Sequence, residues 1–122
     1  MYRLKVYTSF AAAHCLINYQ GDCENLHGHN WKVEVAVTAN DLDTAGLGID
    51  FKLLKLETNE LLKTLDHKYL NDLEPFREMS PSSENLARYI YRKLSEKLNN
   101  NNIKVDIITV WESDFACASY YE

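Results

Sequence analysis

Residues 23–29 read Cys-Glu-Asn-Leu-His-Gly-His, and the chain then alternates between polar and apolar residues as far as Val37. This alternation is typical of a β-strand, in which side chains two residues apart leave the same face of the sheet. His27 and His29 are therefore expected to direct both imidazoles to one point. Gly28 between them carries no side chain, so a ligand or another backbone can approach closely.

A second alternating run precedes this stretch and ends at His14, with Val6 and Phe10 at positions of the same parity. If the two strands pair, His14, His27 and His29 converge on one metal ion and leave its fourth position open. Three protein ligands are typical of catalytic zinc, whereas structural zinc sites use four. The pattern predicts one Zn²⁺ per chain on these histidines. The alternative is that each is a surface or hydrogen-bonded core histidine.

The composition is that of an ordinary globular protein, with 46% hydrophobic and 25% charged residues in a chain of 122. This length fits a single domain, residues 1–122, with a sizeable core. The net charge of −5 argues against binding to nucleic acid or to an anionic membrane surface. Neither a secretory signal nor a membrane-spanning apolar run is visible, so a cytoplasmic location is expected. The three scattered cysteines are expected to be free thiols.

The local patterns predict six elements in the order β-β-α-α-β-β: strands over 3–14 and 27–38, helices over 51–66 and from Ser82 or Ser83 to about 98, and strands over 103–112 and 116–121. Asp50 is expected to cap the first helix. Ile103, Val105 and Ile107 are expected to share the strand face that packs on the helices. The order predicts an α+β domain, an antiparallel sheet with both helices on one face. Its exposed edges favour pairing with another subunit.

The long connection between the first two strands, residues 15–26, carries the candidate nucleophile or base, Cys23. Loops of this length in a compact domain are usually functional or disordered. A thiol near a metal or a cation loses its proton near neutral pH, and the thiolate is the reactive form. The alternative role is a small apolar filler, but the residues around Cys23 are polar. Cys15 and Cys117 lie in apolar or strand contexts and are expected to be structural.

Two further groups are candidates for acid–base catalysis and substrate binding. Asp66 and His67 form the couple in which a carboxylate orients an imidazole. Neighbours in a helix point about 100° apart, so these two pair only if the helix has ended there; the alternative is a structural pair at a helix C-terminus. Glu112 lies near the end of a strand with a parity opposite to that of Ile107. It would suit a heterocycle with two adjacent N–H donors, and a solvated glutamate is the alternative.

Six motifs, in this order, resemble those of the 6-pyruvoyltetrahydropterin synthase / 6-carboxytetrahydropterin synthase family, and they cover nearly the whole chain. They are Phe-Ala-Ala-Ala-His at 10–14, Cys-x-x-x-His-Gly-His-Asn at 23–30, Gly-Ile-Asp-Phe-x-x-Leu-Lys at 48–55, Leu-Asp-His-x-x-Leu-Asn at 65–71, Pro-Ser-Ser-Glu-Asn-Leu-Ala at 81–87 and Val-Trp-Glu-Ser at 110–113. The resemblance implies the tunnelling fold, in which such subunits join their sheets into a β-barrel, usually a hexamer of two stacked trimers with active sites at subunit interfaces.

The resemblance also implies zinc on the three histidines already named and 7,8-dihydroneopterin triphosphate as the substrate, whose side-chain hydroxyls reach the open metal position. It implies that Cys23 moves a side-chain proton and that Asp66 and His67 handle proton transfer opposite it. Glu112 would anchor the pterin through its amino and ring N–H groups.

The spacing between Cys23 and His27 resembles that of the bacterial queuosine-pathway lyase, which forms 6-carboxy-5,6,7,8-tetrahydropterin with loss of acetaldehyde and triphosphate. Glu24 leaves a second reaction open, because some relatives use a glutamate near this point to form 6-hydroxymethyl-7,8-dihydropterin for folate synthesis. One chain could carry out both reactions, or Glu24 could be a solvated loop acid. The alternative from another class is a non-catalytic, zinc-stabilised binding module. Candidates for holding the triphosphate, left unranked, are Lys52, Lys55 and Arg88.

Overall fold

A computed structural model describes residues 1–19 and 26–122. Its main elements are β1 (Tyr2–His14), β2 (His27–Ala39), α1 (Phe51–Leu62), β3 (Lys68–Tyr69), α2 (Ser83–Leu98), β4 (Ile103–Ser113) and β5 (Ala116–Tyr120). The strands form a sheet in the order β3-β1-β2-β4-β5. Neighbouring strands are antiparallel except β1 and β3, which are parallel. The predicted α+β fold is confirmed, and the short β3, which was not predicted, makes the sheet mixed.

The end of α1 and the presence of β3 have a common cause. The helix ends at Leu62 instead of near Asp66, and the following residues form turns. His67 adopts a φ of 57°, and its backbone N–H donates to the carbonyl of Ala11 on β1 at 2.6 Å. This contact satisfies polar groups on the open edge of β1, which a longer helix would leave unpaired. The tertiary contact therefore overrides the helical pattern of the sequence.

Both helices begin at side-chain caps. The carboxylate of Asp50 accepts a hydrogen bond from the backbone N–H of Lys52 at 2.8 Å, which confirms the predicted N-cap of α1. The hydroxyl of Ser82 accepts from the N–H of Asn85 at 3.2 Å, so Ser82, and not Ser83, caps α2. Each cap satisfies one of the free N–H groups in the first helical turn.

The helices cover the face of the sheet that carries Phe10, Trp31 and Val35, here called the core face. Antiparallel register places Phe10 opposite Trp31 and Val6 opposite Val35. Even positions of β1 and odd positions of β2 therefore share this face, as their alternation predicted. These residues form one buried cluster with apolar side chains of the two helices: Leu54, Leu61, Leu86, Ile90 and Leu94.

A β-bulge changes which residues of β4 reach the core face. Val105 pairs with Val37 and Ile107 pairs with Ala36, so Asp106 is an extra residue in β4. Beyond it the parity reverses, and Ile108 is fully buried in the core cluster. The prediction that Ile107 shares a face with Val105 is therefore wrong.

The sequence predicted that no segment spans a membrane and that the cysteines are free thiols. None of the helices in the described ranges has the length and apolarity needed to cross a membrane. Cys117 is a free thiol, as predicted, and it is exposed. Cys15 is disulfide-bonded, so the expectation of a free thiol is wrong at this position.

Candidate metal and substrate site

The register of β1 and β2 brings the three predicted histidines together at one end of the core face. His14 lies directly opposite His27, and His29 lies opposite Ala12. The Nε2 atoms of His14 and His27 are 3.0 Å apart. The centroids of the His27 and His29 rings are 4.6 Å apart. Strand pairing alone therefore produces the convergence expected from the sequence.

The buried ring of His14 is held by the loop before α2. Its side chain is 2% exposed, and its Nδ1 lies 2.8 Å from the carbonyl oxygen of Pro81. A carbonyl only accepts hydrogen bonds, so Nδ1 carries the proton and donates it. In the neutral ring this leaves the lone pair on Nε2, which faces the other two histidines. This tautomer is the one that a metal-binding imidazole needs.

Glu112 on β4 completes the cluster from the neighbouring strand. Its Oε1 lies 2.9 Å from Nε2 of His29, 3.3 Å from Nε2 of His14 and 3.9 Å from Nε2 of His27. The four potential ligand atoms lie within 4.8 Å of one another and could hold a metal ion. The sequence did not predict that Glu112 belongs to this cluster. Its face was inferred from strict alternation along β4, and the bulge at Asp106 reverses that alternation.

The environment of His29 favours its neutral form. Burial lowers the pKa of its imidazole, and the nearby rings of His27 and His14 lower it too, whereas the charge of Glu112 acts in the opposite direction. Neutral imidazole is the form that binds metal. The Nε2 atom of His29 is buried, and it lies 2.9 Å from the carboxylate of Glu112, whose contact with the ring also raises the pKa.

Asp66 and His67 form the predicted couple because α1 has ended before them. Nδ1 of His67 lies 2.9 Å from Oδ2 of Asp66, and Oδ1 of Asp66 accepts a hydrogen bond from the N–H of Ala11 at 2.8 Å. The Ala11 N–H and the His67 side chain lower the pKa of Asp66. The His67 side chain is 82% exposed, so its ring is accessible to a substrate or to another subunit.

One open cavity of about 450 Å³ lies over β1, between β3 and β2. His67 and Tyr69 line it on one side, and His29 and Asn30 line it on the other. Gly28 also lies on its wall, where a Cβ atom would meet only the carbonyl of Ala12 at 3.9 Å. The cavity is therefore lined mainly by positions of the face opposite the core face, such as Asn30, whereas the ligand atom of His29 lies with His14, His27 and Glu112.

The remaining predicted residues lie elsewhere. Cys23 and Glu24 are outside the described residues. Lys52 and Lys55 line a separate groove beside Lys5 and Tyr7. Arg88 donates to Oδ1 of Asn85 at 3.1 Å on α2.

Asn71 supports the site and was not singled out from the sequence. Its side-chain amide donates to the carbonyl of Cys15 at 2.8 Å, and its side-chain oxygen accepts from the Cys15 N–H at 2.9 Å. This pair of bonds fixes the backbone directly after His14, where β1 has ended. The signal for it was the position of Asn71, four residues after His67 in the motif at residues 65–71.

The sheet with two helices on one face, and the histidines at the end of its two longest strands, define the tunnelling-fold class of pterin synthases. The chain belongs to the 6-pyruvoyl tetrahydropterin synthase family, whose model matches residues 3–122. The family predicted from the six motifs is therefore confirmed.

Individual relatives agree with this assignment. A 6-carboxy-5,6,7,8-tetrahydropterin synthase of Synechocystis sp. is 42% identical over 93 residues, which cover 72% of this chain and 70% of that protein. An enzyme of the same name from Haemophilus influenzae is 27% identical over an alignment that covers 100% of both chains. The structure of Caenorhabditis elegans 6-pyruvoyl tetrahydropterin synthase matches with a TM-score of 0.85 and 29% identity, covering 99% of this chain and 95% of that one.

Proposed function

We propose that this chain is a zinc-dependent lyase that converts 7,8-dihydroneopterin triphosphate to 6-carboxy-5,6,7,8-tetrahydropterin, with release of acetaldehyde and triphosphate, in queuosine biosynthesis. The observation that carries the proposal is the cluster of His14, His27 and His29 with Glu112, whose ligand atoms lie within 4.8 Å of one another and could hold a metal ion. Several similar proteins that bear the name 6-carboxy-5,6,7,8-tetrahydropterin synthase support this reaction over others of the family.

Zinc is the metal that we propose for the histidine cluster, held by His14, His27 and His29. The donor set supports this choice, because imidazole nitrogens with a nearby carboxylate suit zinc better than magnesium or calcium. The Nε2 lone pair of His14, which faces the Nε2 atom of His27 at 3.0 Å, points to the same conclusion. When bound, zinc would act as a Lewis acid toward the hydroxyls and the developing carbonyl of the substrate side chain.

The chain's own groups would bind the pterin and move its protons. Glu112 would anchor the amino and ring N–H groups, since a carboxylate accepts two parallel hydrogen bonds. Asp66 would keep the proton of His67 on Nδ1, which leaves Nε2 of His67 to accept or donate a proton at the substrate. Cys23 would move a side-chain proton from the other side.

The assembly that we propose is a hexamer in which sheets of neighbouring subunits join into a barrel. The sheet ends on both sides in short strands, β3 and β5, whose outer edges make no pairing with other described strands. Such edges favour strand addition from another chain. In this assembly the exposed ring of His67 would be available to a neighbouring subunit as well as to its own cavity.

The test is product analysis by mass spectrometry after zinc-loaded protein is incubated with 7,8-dihydroneopterin triphosphate. 6-Carboxytetrahydropterin with acetaldehyde would support the proposal. 6-Hydroxymethyl-7,8-dihydropterin would instead support folate-type cleavage, the second candidate function, which the glutamate directly after Cys23 favours. Absence of any product from a metal-loaded oligomer would contradict both and favour a binding module.

Two variants assign the roles. Cys23→Ala is expected to retain zinc and to lose turnover, and persistent turnover would contradict the role of Cys23. Glu24→Gln is the matched change in the same loop. It should leave 6-carboxytetrahydropterin formation intact and abolish any 6-hydroxymethyl-7,8-dihydropterin.

A further inference from the structure

We propose that Asn85 of α2, oriented by Arg88, is a positioning residue for the metal site, although it is not one of the four clustered groups. Its side-chain amide fixes residues 79–82, the segment before α2 that is here called the Pro81 loop. A carbonyl of this loop sets the tautomer and the direction of the His14 ring. The inference rests on the metal site proposed above and not on the reaction assigned to it.

The ring of His14 depends on one carbonyl for the position of its proton. Its Nδ1 lies 2.8 Å from the carbonyl oxygen of Pro81, and this acceptor keeps the proton on Nδ1 and the lone pair on Nε2. A ring without such an acceptor can carry its proton on either nitrogen, and the form with the proton on Nε2 cannot bind a metal there. The position of the Pro81 carbonyl therefore affects how well His14 serves as a ligand.

The backbone on both sides of Pro81 is held by Asn85. Proline has no N–H, so Pro81 cannot be fixed through a donor of its own. The side-chain Nδ2 of Asn85 donates to the carbonyl of Ser80 at 2.8 Å. The backbone N–H of Asn85 donates to the hydroxyl of Ser82 at 3.2 Å. One residue of α2 thus fixes the chain before and after the carbonyl that holds His14.

Arg88 determines which way the amide of Asn85 faces. Its Nη2 donates to Oδ1 of Asn85 at 3.1 Å, three residues earlier on the same helix. A guanidinium has donors only, so the amide oxygen must face Arg88 and the amide nitrogen must face the carbonyl of Ser80. The same Nη2 lies 3.1 Å from the sulfur of Met79, the residue before Ser80. A continuous series of polar contacts therefore leads from α2 through the Pro81 loop to the metal cluster.

The Pro81 loop is also joined to the chain that follows β1. The hydroxyl of Ser80 accepts a hydrogen bond from the backbone N–H of Ile17 at 3.1 Å, three residues after His14. Asn71 holds the backbone of Cys15 in the same stretch. A shift of the loop would therefore reach His14 both through its ring and through the backbone that follows it.

The alternative is a purely structural role, because Asn85 lies in the first turn of α2. Asn85→Asp separates the two roles. The new carboxylate keeps an acceptor for Arg88 and is favourable near a helix N-terminus, but it has no N–H to donate to Ser80. A residue that only stabilises the start of the helix would tolerate this change, whereas a residue that positions His14 would not.

The experiment compares Asn85→Asp with Asp50→Ala, which removes the cap of α1 and should lower Tm. Zinc affinity, measured by competition with a chromophoric chelator, should fall about 10–100-fold in Asn85→Asp, the range for loss of a group that orients a metal ligand. It should be unchanged in Asp50→Ala. Arg88→Leu should weaken zinc binding too, since the amide is then free to turn. Unchanged affinity in Asn85→Asp would overturn the proposal, and unchanged affinity in Arg88→Leu would overturn the part given to Arg88.

Nitrogen-15 NMR of the histidine rings in zinc-free protein tests the cause, at a pH high enough to keep the rings neutral. His14 should carry its proton on Nδ1 in the wild type and in Asp50→Ala, and should exchange it between both nitrogens in Asn85→Asp. A His14 ring that keeps the Nδ1 proton in Asn85→Asp would overturn the proposal. Because this readout needs no metal, failure of the wild type to bind zinc would contradict the proposed metal site, while the tautomer of His14 would still decide the role of Asn85.

Discussion

Replacement of Asn71 by alanine should destabilise the chain measurably, although this residue lies outside the cluster itself. The side chain makes two hydrogen bonds to the backbone of Cys15, at 2.8 and 2.9 Å, in a partly buried position. A neutral hydrogen bond contributes about 0.5–1.5 kcal/mol net, so loss of both costs about 1–3 kcal/mol. For 122 residues, with an unfolding entropy of about 2.1 cal/mol/K per residue, this corresponds to a decrease in Tm of about 4–12 °C.

Differential scanning calorimetry of the zinc-free protein at one fixed concentration would measure this decrease, since bound metal and assembly both shift Tm. Asn71→Asp retains the acceptor and loses only the donor, so about half of the effect is expected. Asn101→Ala, at an exposed position, should leave Tm unchanged. Zinc affinity of Asn71→Ala should also fall, because the two bonds fix the backbone that follows His14. An unchanged Tm in Asn71→Ala would refute the reasoning.

Three further changes test the metal site, the acid–base couple and the packing. His14→Ala should abolish zinc binding as measured by elemental analysis, whereas His67→Ala should retain it; zinc retained by the first variant would contradict the site. Hydrogen bonds lower the pKa of Asp66 in the folded protein below its ordinary 3.8. The ionised carboxylate therefore contributes its full stabilisation above pH 3.8, and this contribution is lost as the pH falls through the lower pKa of the folded state. Carbon-13 NMR of its carboxyl should show a midpoint below 3.8, and a higher one would contradict the assignment. Gly48→Ala should lower the free energy of unfolding, measured in urea, by about 1–3 kcal/mol, because the added Cβ would lie 2.7 Å from that of Ala39. An unchanged urea midpoint would contradict this and show that the backbone shifts to accommodate the methyl group.

The histidine cluster was predictable because every step toward it is local. Alternation fixed which residues of β1 and β2 share the core face, and pairing of those apolar faces leaves one register that buries them all. In that register His14 and His27 must lie opposite each other. The caps at Asp50 and Ser82 were also predictable from the sequence, since a capping side chain bonds to a backbone group two or three residues away.

What the sequence did not reveal depends on contacts between distant segments. The early end of α1 follows from hydrogen bonds between residues 66–67 and Ala11, and no local pattern carries that information. The place of Glu112 among the histidines follows from an extra residue in β4. Bulges have little sequence signature, so a strict period of two misplaces everything that follows one.

The bulge at Asp106 has a genetic consequence. Removal of that single codon would restore strict alternation in β4 and leave Glu112 on its present face, because Ile107 already pairs with Ala36, the neighbour of the residue that pairs with Val105. A deletion at Asp114, in the turn between β4 and β5, lies beyond Glu112 and also leaves its face unchanged. This gene can therefore lose a codon on either side of Glu112, at the bulge or at the turn, without changing the face of the glutamate. Six positions before the glutamate, the bulge is thus a place where the length of β4 can change while the fourth group of the histidine cluster stays in place.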